Sequence, residues 1–596
     1  MENQTLMDII RDGLKRKHSP GEGNTDFVDA IYSLFKEYCE DYKSEWERLD
    51  ENEEIYHGNH WASMPTTPGD SNPNLPKPST PIITSTIENI KADLSDEMPE
   101  AVILPDSVGN EALAKALTKI IGQELDVCDF ELEYAKMTQD MLNGGWTVME
   151  VGYDQDLNNG LGGAYLRYVI NKNWMCDPQC IDLQEGRAVF KVDRRPYDWF
   201  KQHYPDHYQY MSGDSDLLED THDDFGAETA AQTKRSYRLI EAWFRVYDHK
   251  EKTFSIHFVK VAGHQVLESS FDAKPDGYYA HGFYPFIVVP LFPQKGSALG
   301  LGITDLFKDV QRYSDKLDQI LLTNAFRASH NRMIIQKDSV DFDDARDFAK
   351  EIIQTTQNPS AAVHWMETKP LPSYLMNYIQ IIRNTIKGES GSNEQSRGNT
   401  GSSVTAASAI TALQDMSTKR SRMEARALQY GFKKAVRMMI DVLREFSLVP
   451  RDVVITVQGQ PQVLSIGKKD FKKLFPGNMP VEHYIDIKTA RQTKYTKMMH
   501  NELWLQMLKT LQGMVDPAIM IEGLEYDEKE QLLDNIRKAQ SSGMLALQQQ
   551  VAQLTEMLNQ QGQELEAYKG AIGQAQAALA NNQEEEPAGM YGQPMG

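Results

Sequence analysis

A polar loop that runs straight into a very long amphipathic helix constrains this chain more than any other feature. Residues 388–410 read GESGSNEQSRGNTGSSVTAASAI, and TALQDMSTKRSRMEARALQYGFKKAVRMMIDVLREF follows to Phe446. The first part is rich in Gly, Ser and Asn, with only Glu389, Glu394 and Arg397 charged over 388–403. Val404, Ile410, Leu413, Met416, Met423, Leu428, Phe432, Val436, Met439, Leu443 and Phe446 then recur at helical spacing. They predict a helix of about 40 residues, several times the usual ~11–12. A rigid lever with a pliant loop at its N-terminal end suits a mechanical role. A linker before an ordinary core helix is the plainer alternative.

Length and charge narrow the classes. At 596 residues the chain has room for roughly two to four compact units. Its formal net charge of −24 argues against a static nucleic-acid clamp, which needs clustered cations to displace counterions. A surface past which DNA slides remains compatible with that charge. The four cysteines, Cys39, Cys128, Cys176 and Cys180, point to reduced thiols rather than a disulfide framework. No apolar run reaches the ~18–20 residues of a membrane span, so a membrane partner is not expected, and a polar N-terminus suggests assembly in a cytosol.

Periodicity predicts helices over 24–56, 82–98 and 107–143, with Asp26 as a cap and Gly58 as a left-handed stop to the first. Strand patterns follow in GGWTVMEVGYD and across 160–193 and 238–271, alternating as an antiparallel sheet does. Tyr208–Ala231 reads as a solvated insertion. Strand 284–292 and the turn PQKGSALGLG lead to a helix over 303–329. Its apolar stripe is Leu306, Val310, Tyr313, Leu317, Ile320 and Leu321, with charges of both signs on other faces. A short mixed unit spans 330–372 and a second helix 373–387. Strands near 452–466 and 481–489 precede a helical tail, 494–580. Its heptad-like seam (Leu545, Val551 or Leu547, Leu554, Leu558, Leu565, Tyr568, Ile572) fits association about an axis, a dimer, or a partly frayed helix. Residues 581–596 are expected to be disordered.

Enzymatic signatures are missing. No G-x-x-x-x-G-K-[ST], G-x-S-x-G or H-E-x-x-H occurs. KGSALGLG lacks the lysine of a phosphate loop, and a tight turn into a helix accounts for its glycines. His57 and His60 have no ligand at fixed spacing, and Cys176 and Cys180 read as structural thiols around an Asp-Pro turn. Asp341, Asp343, Asp344 and Asp347 superficially suggest a nuclease cluster, but Asp344 and Asp347 suit the start of a short helix.

The order of these parts resembles that of phage portal proteins, the head-to-tail connectors of tailed double-stranded-DNA viruses, and most closely the large podovirus type. YHGNHW (Tyr56–Trp61) looks like the portal Y-x-G-x-x-W signature. GSALGLGITDLFKDVQRYSDKLDQILLTN resembles the turn and first stem helix, with its acidic residue and Q-x-x-x-[ND] pattern. GNTGSSVTAASAI is similar to the tunnel loop and the start of the kinked helix. The likeness covers roughly residues 27–500. It implies an α+β portal fold: wing over 1–302, first stem helix 303–329, clip 330–372, second stem helix 373–387, tunnel loop 388–403, kinked helix 404–446, returning wing strands 447–493, and crown with barrel helix 494–580.

The resemblance also implies a ring of about twelve subunits at one capsid vertex. Its partners would be the terminase large subunit, a head-completion or tail adaptor protein, the major capsid and scaffolding proteins, and sliding double-stranded DNA. No cofactor and no catalysis are implied. Ser392, Asn393, Gln395, Arg397, Asn399, Ser402 and Ser403 would line the channel. Lys419, Arg420, Arg422 and Arg426 would meet DNA or a neighbouring subunit, the latter being the expected role. The four aspartates would lie in the motor-docking clip. The competing readings are a terminase-like metal nuclease, which needs a parallel α/β core with carboxylates at strand ends, and a coiled-coil scaffold or tail component.

Overall fold

The computed structural model describes residues 6–64, 75–104, 111–211, 236–335, 363–389, 419–467 and 485–489, with short gaps inside these ranges and isolated residues elsewhere. Residues 390–403 of the predicted tunnel loop, residues 404–418 of the long helix, nearly all of the helical tail and nearly all of the Tyr208–Ala231 insertion lie outside them, while Gly388 and Glu389, expected in the loop, end a helix instead.

The N-terminal part is helical. Helix α1 (Leu6–Leu14) packs on α2 (Thr25–Tyr56), followed by α3 (Ile82–Asp96), α4 (Glu111–Val127) and α5 (Phe130–Gly144). Asp26 sits in the first turn of α2 rather than at its cap. The single helix expected over 107–143 is two, because Asp129 takes a left-handed φ of 51° and breaks it. The stripe Phe27, Ile31, Leu34, Phe35, Tyr38, Tyr42, Trp46 and Leu49 of α2 is buried as its spacing predicts.

Two antiparallel sheets carry the middle of the chain. Strand β1 (Pro99–Ile103) stands apart from them. Strands β2 (Trp146–Asp154) and β3 (Gly163–Val169) flank the short turn α6 (Leu157–Gly160). Then come β4 (Trp174–Cys176), β5 (Ala188–Pro196), helix α7 (Tyr197–His203), β6 (Ser236–Asp248), β7 (Thr253–Ala262), β8 (Gln265–Ser269), the turn α8 (Ser270–Ala273) and β9 (Phe286–Pro290). One sheet has the order β3-β2-β9; the other is the meander β4-β5-β6-β7-β8. Every strand pair among the described residues is antiparallel. The doubly wound core that a nuclease reading requires is not built by these strands.

After the small pair β10 (Phe292–Pro293) and β11 (Gly300–Leu301), helix α9 runs from Ile303 to Ser329, the bounds its periodicity predicts. Strands β12 (Arg332–Ile335) and β13 (Val363–Met366) form a hairpin between α9 and α10 (Tyr374–Glu389), and the two helices lie against each other. The long helix is described as α11 (Lys419–Phe446). It crosses β2 and β9, burying Leu428, Phe432, Val436, Met439 and Leu443, with the Phe432 ring 5.1 Å from that of Phe130. Gly431 marks the crossing: a Cβ there would lie 2.4 Å from Val289 Cγ2, so only a glycine lets the helix settle this close. Met423 is exposed rather than part of the buried stripe.

The returning strands close the body. Strand β14 (Arg451–Val457) pairs with β15 (Gln460–Ile466), and β16 (Ile485–Thr489) pairs with β1, a partner that no local pattern announces. Glu124 of α4, almost fully buried, forms an ion pair with Arg451, and Lys119 donates to the Val454 carbonyl at 3.1 Å. A charge buried this deeply demands its partner, so the hairpin is fastened to α4.

Candidate stem junction

The Tyr56–Trp61 segment ends α2 in a way that launches a side chain under α9. Gly58 takes a φ of +83°, and the Gly58 and Asn59 amides donate back to the Ile55 and Glu54 carbonyls. The reversed chain drives His60 inward until it is 1% exposed, while His57 stays on the surface. His60 Nε2 is 3.1 Å from the Ile55 carbonyl, and Nδ1 is 2.6 Å from Asp315 Oδ2 of α9. Asp315 is itself fully buried. The two histidines therefore face apart, and both nitrogens of the inner one are engaged.

Around that pair, residues 76–80 lie as a strap across α9. Gln311 Nε2 donates to the Thr80 carbonyl at 2.7 Å and to Asp315 at 3.1 Å. Gln319 Nε2 donates to the Pro76 carbonyl at 3.0 Å, and the Thr80 amide to Asp315 at 3.3 Å. Trp61 Nε1 donates to the Pro78 carbonyl at 2.8 Å, and Lys316 Nζ stands 5.0 Å from the Trp61 ring centre. The Q-x-x-x-D pattern thus has a physical purpose: one turn of helix presents an amide and a carboxylate that satisfy an irregular, proline-interrupted backbone.

Nearer its N-terminus α9 is held by charge. Asp305 accepts from the Gly302 amide at 2.9 Å and Asn52 Nδ2 at 2.8 Å, and it pairs with Arg48. Arg48 also holds Glu45 and the Gly144 carbonyl. Glu51 pairs with both Lys308 and Arg312. Burial pushes its carboxyl upward, but hydrogen bonds and charge from those two cations more than offset it and hold it below the ordinary range. This network escaped the sequence reading, and an acidic residue in the first turn of α9 is the one local signal that pointed to it.

Glycine permits the whole arrangement. Gly145 (φ +93°) and Gly302 cross so tightly that a Cβ on Gly302 would sit 2.4 Å from the Asn143 carbonyl oxygen, and one on Gly145 would sit 2.4 Å from the Leu301 carbonyl carbon. Close backbone approach explains the last glycine of KGSALGLG; only Gly296, with a φ of +85°, answers to a turn.

The outcome is a helix turned inside out. Gln311, Ser314, Asp315 and Gln319 are buried, whereas Leu306, Tyr313, Ile320, Leu322 and Phe326 face outward, Tyr313 being 68% exposed. Val310, Leu317 and Leu321 lie half-buried at the edges. The predicted stripe exists, but it is not what this chain's own core takes. Helix α10 buries an apolar face, Ile379, Ile382 and Ile386, but it too presents apolar side chains outward, Tyr374, Met376, Tyr378 and Ile381. Arg383 of α10 meets Asp318 of α9 at 2.5 Å, so the two outward faces are locked side by side.

The phage SU10 portal protein family matches this sequence over residues 162–583, well beyond half of it. The chain belongs to that portal family. It is thus a phage portal protein, a structural component of the virion. No curated protein matches it. Among the described residues no portal helix is long and apolar enough to cross a membrane.

Of the portal residues singled out in the sequence, Ser392, Asn393, Gln395, Arg397, Asn399, Ser402 and Ser403 lie outside the described residues, as do Asp344 and Asp347. Asp341 and Asp343 are exposed, and Asp341 Oδ1 accepts the Asp343 amide at 3.0 Å, a local turn bond that accounts for at least that carboxylate. Lys419 and Arg420 begin α11; Arg422 is half-buried and Arg426 exposed.

Proposed function

We propose that copies of this portal protein close into a ring around a channel for double-stranded DNA, with α9 and α10 as the stem helices. The inverted face of α9 carries this reading. A helix that buries glutamine and aspartate while presenting Leu306, Tyr313, Ile320 and Phe326 outward has an unmet need for apolar cover. A second copy of the same sequence meets it. The hairpin β12–β13 at the far end of the paired helices then forms the clip, where a packaging motor docks during filling and a tail adaptor afterwards.

The net charge of −24 fits such a channel. A negative wall offers the phosphate backbone few deep wells, so a duplex moves past it at little cost. Residues 388–403 would line the narrowest passage. A Ser402→Cys thiol carrying a photo-crosslinker is expected to label packaged DNA in filled particles; unlabelled DNA would remove the loop from the passage. Mass measurement of the purified assembly tests the ring itself: a closed oligomer supports it, and solitary protomers overturn it.

The basic start of α11 serves subunit contact in this scheme. Reversing Arg420 and Arg422 to glutamate is expected to reduce ring yield at least several-fold before it alters DNA retention in surviving particles. The opposite order would assign those residues to DNA.

A further inference from the structure

Cys176 and Cys180 lie at the two ends of a surface turn, with their sulfurs 3.8 Å apart. The sequence reading made them structural thiols. Their surroundings differ in a way that packing does not require. Cys176 ends β4 and is 1% exposed; the Tyr42 hydroxyl is 3.2 Å from its sulfur and accepts its backbone amide at 3.2 Å. Cys180 lies just under the surface at 9% exposure, between the exposed Gln179 and Ile181. The turn that brings them together is held from both ends. The Cys180 amide donates to the Asp177 carbonyl at 3.0 Å, and the Asp177 carboxylate takes the Arg187 side chain at 2.7 Å and its amide at 3.1 Å.

We propose that Cys176 and Cys180 form a reversible intrachain disulfide, with Cys180 as the entry thiol and Cys176 as the resolving one. The co-reactant is a small-molecule disulfide of the glutathione class. The Cys180 thiolate attacks one sulfur of that disulfide, forming a mixed disulfide and releasing one small thiolate, which takes up the proton Cys180 lost. Cys176 then gives its proton to solvent and attacks Cys180 Sγ, forming the intrachain bond and expelling the second small thiolate, which is protonated in turn. Two protein thiols are oxidised and one disulfide is reduced to two thiols, so atoms and electrons balance.

Three observations favour this order. Cys180 alone of the pair lies near the surface. The hydrogen bond between the two sulfurs holds the Cys180 thiol below its ordinary value, against the opposing effect of burial, whereas Cys176 is raised by that bond and by burial. The sulfurs are already neighbours at 3.8 Å, so the resolving attack on Cys180 Sγ starts from within reach.

Treating the full-length protein with oxidised glutathione, alkylating it and mapping peptides by mass tests the idea. The peptide spanning both residues is expected to be about 2 Da lighter and resistant to alkylation, and dithiothreitol should restore both thiols. Cys39 and Cys128 should stay alkylatable. In Cys176→Ser, a stable glutathione adduct should accumulate on Cys180. The proposal is overturned if both thiols of the wild-type protein remain alkylatable, if a glutathione adduct persists at Cys180 with Cys176 present, or if the serine variant traps no adduct on Cys180.

Discussion

Replacing Tyr313 and Ile320 of α9 by glutamate is expected to leave each protomer folded and to abolish the proposed ring. Tyr313 is 68% and Ile320 49% exposed, so their replacement removes little intrachain packing. At a subunit interface each would be an apolar anchor worth roughly 2 kcal/mol, and a charge in its place adds a desolvation cost. About 30-fold weaker contact per anchor follows, since ~1.4 kcal/mol is a factor of ten. A closed ring repeats that loss at every interface, so a small penalty per contact becomes complete disassembly. Light scattering or native mass measurement should show monomers whose circular dichroism and melting match the wild-type protomer. A ring that survives both substitutions would mean the stripe faces something other than a second copy.

The second large effect concerns stability. Gly302→Ala is expected to cost about 3 kcal/mol or more, because its Cβ meets the Asn143 carbonyl oxygen at 2.4 Å and a backbone atom has no rotamer with which to yield. Gly296→Ala is the matched control. Gly296, unlike Gly302, needs a left-handed φ, but nothing lies within 4 Å of its Cβ, so the penalty is the conformational one of ~1 kcal/mol. Denaturant midpoints of the two variants should therefore separate widely. Equal shifts would show that the crossing with Gly145 relaxes freely around a Cβ at position 302.

The strongest local patterns predicted the element bounds well. Helix α9 begins and ends where its periodicity says, and Gly58 stops α2 by the left-handed geometry expected of it. The alternation across 160–193 and 238–271 marked antiparallel strands, although β3 joins β2 and β9 rather than the meander β4–β8. Boundaries failed where a single residue decided them. Asp129 breaks a helical pattern that its neighbours would continue, and Asp126, three residues before, only accepts its backbone amide. The pairing of β1 with β16 joins segments almost four hundred residues apart in number, and five-residue strands carry no mark of their partner.

For the junction, the motif was visible and its meaning was not. Tyr56–Trp61 and the glutamine–aspartate spacing stood out as patterns, yet nothing local says that His60 reaches Asp315 or that Gln311 reads the carbonyl of Thr80. The contact between the sulfurs of Cys176 and Cys180 was equally hidden, because a four-residue separation in a loop fixes no distance.

By itself the sequence determined most of the helices and strands among the described residues, since period, turn residues and glycine act over a few neighbouring positions. Only the tertiary structure decided which face of α9 turns inward. Apolar spacing alone would bury Leu306 and Tyr313. The strap of residues 76–80 instead offers backbone groups that must be hydrogen-bonded once covered: Gln311 and Gln319 donate to its Thr80 and Pro76 carbonyls, and Asp315 accepts its Thr80 amide.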